Sequence, residues 1–63
     1  MMVPKKVIEA AEERISEPTP NGGVYSVTYF KDANGHPCTE KEAVHYEIVE
    51  YDERDNEVGR TYA

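Results

Sequence analysis

The chain has no leucine and no tryptophan, one cysteine, one phenylalanine, and only seven lysines and arginines against thirteen acids. Without leucine, the large aliphatic residues are seven valines, three isoleucines and two methionines, and tyrosine outnumbers phenylalanine five to one. That mixture suits pleated sheet better than a helical bundle. The lone Cys38 excludes an intramolecular disulfide framework and fits a reducing compartment. No run approaches the roughly 20 apolar residues of a membrane span, and MMVPKKVIEAAEER lacks the apolar core of a signal peptide. The expectation is a soluble, cytoplasmic protein with no membrane partner. Sparse, scattered basic residues also disfavour direct binding to a nucleic-acid backbone.

Sixty-three residues make one domain. A chain of this size buries only about 60% of the surface its unfolded form exposes, so its stability is low unless a partner, a metal or a second copy adds burial. The net charge of −6 is localised. From Glu40 to Glu57 eight acids (Glu40, Glu42, Glu47, Glu50, Asp52, Glu53, Asp55, Glu57) face only Lys41 and Arg54, and the remaining five acids and five bases cancel.

Residues 4–17, PKKVIEAAEERISE, have helical periodicity. Val7, Ile8, Ala11 and Ile15 fall in one stripe, with Glu9, Glu12, Glu13 and Ser16 opposite. Pro4 suits a first turn. Yet Lys5 and Lys6 at the start and Glu17 at the end oppose the helix dipole, and Glu9–Glu13 and Glu13–Glu17 repel at i,i+4. Such a helix depends on packing. Pro18, Pro20 and Gly22–Gly23 then end it in a linker. Three β-branched and aromatic stretches follow as strands, at about 23–31, 44–52 and 57–62. CTEKEA between the first two carries capping-box spacing at Thr39 and Glu42 and reads as a short turn. The predicted fold is a single α+β domain, 1–63, with helix 4–17 packed on one face of a three-stranded antiparallel meander.

No arrangement of residues specifies chemistry. His36, Cys38 and His45 could ligate a metal, but structural zinc usually takes four ligands in spaced pairs. DANG and DERDNE offer oxygen ligands, but not at EF-hand spacing. Cys38 beside His36 lacks an oxyanion donor set and an enclosing pocket. Gly22–Gly23 has no following lysine or helix start to cradle a phosphate. No catalytic, cofactor-binding or metal residue is assigned, no cofactor is expected, and the chain reads as not an enzyme.

The acidic band and the tyrosines that one helix cannot cover form the candidate partner-binding set: Tyr25, Tyr29, Glu47, Glu50, Tyr51, Asp52, Glu53 and Asp55. Tyrosine gives contact area at low entropic cost, and charge steers encounter. The expected function is a small acidic, non-catalytic interaction or accessory module. Its expected partner is a protein, basic or a second copy of itself docked through an exposed sheet face. The alternatives are an acidic nucleic-acid mimic that inhibits a basic partner, and a small ligand- or metal-binding module at the turns.

YDERDNEVGRT resembles the Tyr-Asp half-hairpins of bacterial repeat proteins of the RHS/YD kind, with their YDxxGN turn. The resemblance covers about a dozen residues, sets Asn56 at the glycine position, and implies a hairpin without an activity. Aligned from Phe30 and Tyr51, FKDANGHPC and YDERDNEVG match at an offset of 21 residues, as two tight turns at the same end of a sheet.

Overall fold

The computed structural model describes the backbone of residues 6–8 and the whole of residues 11–63. They form one antiparallel sheet in chain order: β1 (Lys6–Ile8), β2 (Glu12–Ile15), β3 (Tyr25–Lys31), β4 (His45–Tyr51) and β5 (Glu57–Tyr62). β1 is a three-residue addition to the four longer strands. A single 3-10 turn, Glu40–Glu42, interrupts the connection between β3 and β4. There the Thr39 hydroxyl donates to the Glu42 carboxylate at 3.0 Å, so the capping-box pair meets side chain to side chain.

The predicted helix over 4–17 is not formed, so the fold is a meander and not an α+β domain. Residues 4, 5, 9 and 10 of that helix lie outside the described residues. Of the others, residues 6–8 form β1 and residues 12–15 form β2, with Val7 opposite Arg14 and Arg14 opposite Val27. A physical reason is visible in EERI. Alternation sends Glu12 and Arg14 to one face and Glu13 and Ile15 to the other. On the first face the Arg14 guanidinium lies 4.1 Å from the centre of the Tyr25 ring. A helix with opposed dipole charges had nothing comparable to offer. Strands β3, β4 and β5 match the predicted strands to within two residues at each end.

Three turns share one hydrogen-bond scheme. In Thr19–Gly23, Asp32–His36 and Asp52–Asn56 the first residue's N–H donates to the fifth residue's carbonyl, at 3.0, 2.9 and 3.0 Å. The fourth residue's N–H returns to the first carbonyl at 3.1, 3.0 and 3.0 Å. The first residue's side-chain oxygen accepts from the fifth N–H, at 2.8, 2.9 and 2.9 Å. The fourth position is Gly22, Gly35 or Asp55, with φ of 87°, 81° and 63°, the positive-φ residues of the described chain. This is a type I turn closed by a left-handed residue, a common three-residue hairpin connection.

The scheme corrects the alignment made from the aromatic residues. Asp32 corresponds to Asp52 at an offset of 20, and Asp55, not Asn56, holds the glycine position. The Asp32 and Asp52 turns also lie at opposite ends of the sheet, because Tyr25 pairs with Tyr51 and Lys31 with His45. The turn sharing an end with Asp52–Asn56 is Thr19–Gly23, joined to it where the Val24 N–H donates to the Tyr51 carbonyl at 2.7 Å.

Register sorts the side chains onto two faces. Tyr25, Val27, Tyr29 and Lys31 share one with Glu12, Arg14, Glu47, Val49, Tyr51 and Arg60. Ser26, Thr28 and Phe30 share the other with Glu13, Ile15, Tyr46, Ile48 and Glu50. Among the described residues the buried apolar side chains are Val27, Phe30 and Val49. Among the described residues, Pro37 bridges Lys31 and the Cys38 N–H donates to the Phe30 carbonyl along the edge of β3, while the first turn reaches over the sheet to Glu50 of β4.

Candidate functional site

Glu50 is 5% exposed, deeply placed for a carboxylate. Its Oε1 accepts from the Asn21 N–H at 3.2 Å, and its Oε2 accepts from the Asn21 side-chain amide. In the other two turns the third N–H, from Asn34 or Arg54, goes to the turn's own aspartate at 2.9 and 2.8 Å. The single Oδ1 of Asp32 or Asp52 takes both the third and the fifth N–H, whereas Thr19 Oγ1 takes the fifth and Glu50 accepts the third, from 29 residues beyond Asn21. Gly59, opposite Glu50 in β5, leaves the room: a Cβ there would lie 2.6 Å from both the Asn21 amide nitrogen and Glu50 Oε2.

The opposite face carries the aromatic cluster. Tyr25 and Tyr51 stack with centroids 5.0 Å apart and planes 19° from parallel. Arg14 covers the free side of Tyr25, which extends the stack across β2, β3 and β4. The Tyr25 hydroxyl donates to Asp55 Oδ1 at 2.7 Å, and this bond raises its pKa. A hydrogen bond with Tyr51, assisted by desolvation, pushes the Tyr29 pKa up to about 12. Arg60 grips Glu57 through two bonds, of 2.7 and 3.1 Å, and reaches Glu47 at 3.1 Å. Opposite it in register is Val49, 1% exposed.

The candidate residues therefore divide. Tyr25, Tyr29, Glu47 and Tyr51 come together on one face, with Asp55 joined at its end. Glu50 lies on the other face, Asp52 is turned into its own hairpin, and Glu53 stands exposed at the tip of that hairpin. Arg14, Arg60 and Glu12 belong to the tyrosine face but were outside the candidate set. Period-two alternation in EERI and EVGRTY was the available signal for them.

The acidic band is also dispersed. Glu42, Glu47, Glu50, Asp52, Asp55 and Glu57 each accept a hydrogen bond or ion pair from within the chain. Around the tyrosines, Glu12, Glu47, Asp55 and Glu57 stand against Arg14, Lys31 and Arg60, close to balance. Among the described residues no group of three or more His, Cys, Asp or Glu converges on a metal-sized site. Nor is any helix there long and apolar enough to cross a membrane.

These bonds set a pH dependence. Backbone N–H groups, from His36 and Asn56 first, lower the pKa of Asp32 and Asp52. Thr19 and then Asn21 lower that of Glu50, and Arg60 lowers that of Glu57. A carboxyl group with a folded pKa below its unfolded value stabilises the fold once ionised, and that contribution is lost as pH falls through the folded value. Thermal melts followed by circular dichroism should give a steady Tm near neutrality and a decline below about pH 4, the ordinary carboxylate range. Glu50→Gln should lower Tm at pH 7 and make the acid decline shallower. An unchanged acid limb in that variant would remove Glu50 from the account.

Compared with protein-family models, curated proteins and solved structures, the chain matches none.

Proposed function

We propose that this chain is a non-catalytic assembly module that docks its tyrosine face against the same face of a second copy. The observation that carries the reading is that the described residues form a single sheet layer. Stable domains pack at least two layers of secondary structure around a core. Here one sheet has three buried apolar side chains among the described residues. Its radius of gyration is 12.1 Å, where a compact chain of this length has about 10.6 Å.

A second copy supplies the missing layer. The molecule extends 32 by 31 Å across its broad side, roughly 1,000 Å². A standard interface takes about 800 Å² per partner. A two-fold contact presents the same patch twice and must complement itself. The near-balance of acids and bases around the tyrosines meets that condition, whereas a basic partner would be matched by a strongly acidic face. Tyr25, Tyr29 and Tyr51 serve as rigid anchors. With Cys38 unpaired, the proposed setting is reducing and cytoplasmic.

Sedimentation should show dimers forming between micromolar and hundreds of micromolar chain. Tyr29→Ser should weaken the dimer while leaving the monomer's circular dichroism nearly unchanged. A stable monomer at hundreds of micromolar would sink the proposal.

A further inference from the structure

The outer edge of β5 is a second surface, independent of the tyrosine face. Ala63 exchanges both backbone hydrogen bonds with Tyr46, at 2.8 and 2.9 Å. In an antiparallel ladder such pairs alternate, so Gly59 and Thr61, opposite Glu50 and Ile48, also turn their backbone groups inward. Arg60 and Tyr62 then present N–H and C=O outward, on the side of β5 away from β4.

Proteins usually blunt such an edge with proline, lysine, a bulge or a covering loop. Glu57–Tyr62 contains no proline and no lysine. The irregularity in its pairing lies at the Glu50/Tyr51 end, next to the turn, and leaves Gly59–Tyr62 regular. The Arg60 charge is drawn across the tyrosine face by Glu57 and Glu47. Tyr62 is 69% exposed and Val58 37%. The opposite edge strand, β1, has three residues.

We propose that the β5 edge takes up β5 of a second copy as an antiparallel strand, about a two-fold axis at Thr61. Two identical antiparallel strands are related by a two-fold axis, so one segment serves as both donor and acceptor. Centring on Thr61 sets Thr61 against its counterpart, a favourable cross-strand pair. It also sets Arg60 against Tyr62 of the second copy at both outward-facing positions, repeating between chains the arginine–tyrosine contact made by Arg14 and Tyr25. Centring on Arg60 instead would oppose two like charges.

Amide hydrogen exchange at tens of micromolar and at millimolar chain tests this. Exchange at Arg60 and Tyr62 should slow at least tenfold at the higher concentration, while Gly59 and Thr61, already bonded to β4, should not change. Tyr62→Pro removes an outward N–H without touching the β4 ladder and should abolish the slowing. Tyr62→Ser, which keeps the N–H, should retain most of it. In Tyr29→Ser the slowing should persist even where the face contact is lost, which separates the two surfaces. Equal exchange at both concentrations, or slowing that survives Tyr62→Pro, would overturn the proposal.

Discussion

Phe30→Ala is expected to leave the chain unfolded at 25 °C. The Phe30 ring is 1% exposed and meets Tyr46 edge-on at 5.9 Å, with an interplanar angle of 85°. Its backbone joins the sheet to the segments beside it, donating to the Ala11 carbonyl and accepting from the Cys38 N–H. Truncating a buried phenylalanine costs about 3–5 kcal/mol. A single core of this size rarely supplies more than about 3–5 kcal/mol in total. The loss therefore matches the whole stability of the monomer, a relation that larger domains escape. Amide shift dispersion should collapse, and urea should produce no cooperative transition. Phe30→Leu, which keeps most of the volume, should remain folded with a lower midpoint. The measurement belongs at low micromolar concentration, where self-association adds little. A cooperative transition in Phe30→Ala near the parent's midpoint would show that the core lies elsewhere.

Gly23→Ala should be the most damaging glycine substitution at the first turn. A Cβ at Gly23 would lie 2.6 Å from Thr19 Oγ1, 2.7 Å from the Tyr51 carbonyl and 3.2 Å from Val58 Cγ2. Two of these are the groups that hold the turn to the sheet, and the Tyr51 carbonyl also accepts the Val24 N–H. Relief requires the turn to withdraw from the β4–β5 end, at a cost of about 3 kcal/mol, the upper part of the overpacking range. Gly22→Ala has open space around it and meets only the penalty of its φ of 87°, about 1–2 kcal/mol. Chemical unfolding of both variants should give that order. The reverse order would contradict the packing of the first turn against Tyr51.

The second half of the fold was legible because its signals agree. YSVTYFK and HYEIVEY are dense in β-branched and aromatic residues, and the segments between carry turn residues. The first half offered two periods at once. Val7, Ile8, Ala11 and Ile15 satisfy a helical stripe, while Glu12 to Ile15 satisfy alternation. What separates them is the partner across the sheet, Tyr25 under Arg14 and Tyr29 beside Glu12, and local sequence does not encode that proximity. The third turn motif was hidden for a related reason. Thr19 replaces the aspartate, and the turn's third N–H goes instead to Glu50. The acidic band had the opposite fault, being conspicuous in sequence and dispersed in space. Alternation, two hairpins and the shift at Glu50/Tyr51 send neighbouring acids to different places. Arg14 and Arg60 were passed over because charge was counted along the chain and not across strands.

The borrowed carboxylate has a consequence for the order in which the molecule becomes complete. The hairpins headed by Asp32 and Asp52 carry their own acceptors and can close as soon as their five residues exist. The turn between β2 and β3 can make the same three bonds, but its Asn21 N–H waits for a residue 29 positions downstream. A nascent chain emerging from its N-terminus, or a fragment ending before residue 50, holds that turn with its Asn21 N–H and side-chain amide still without Glu50. Addition of β4 therefore does more than widen the sheet. It fixes the geometry of a loop made long before it, so the turn between β2 and β3 is finished after the Asp32 turn that follows it in the sequence.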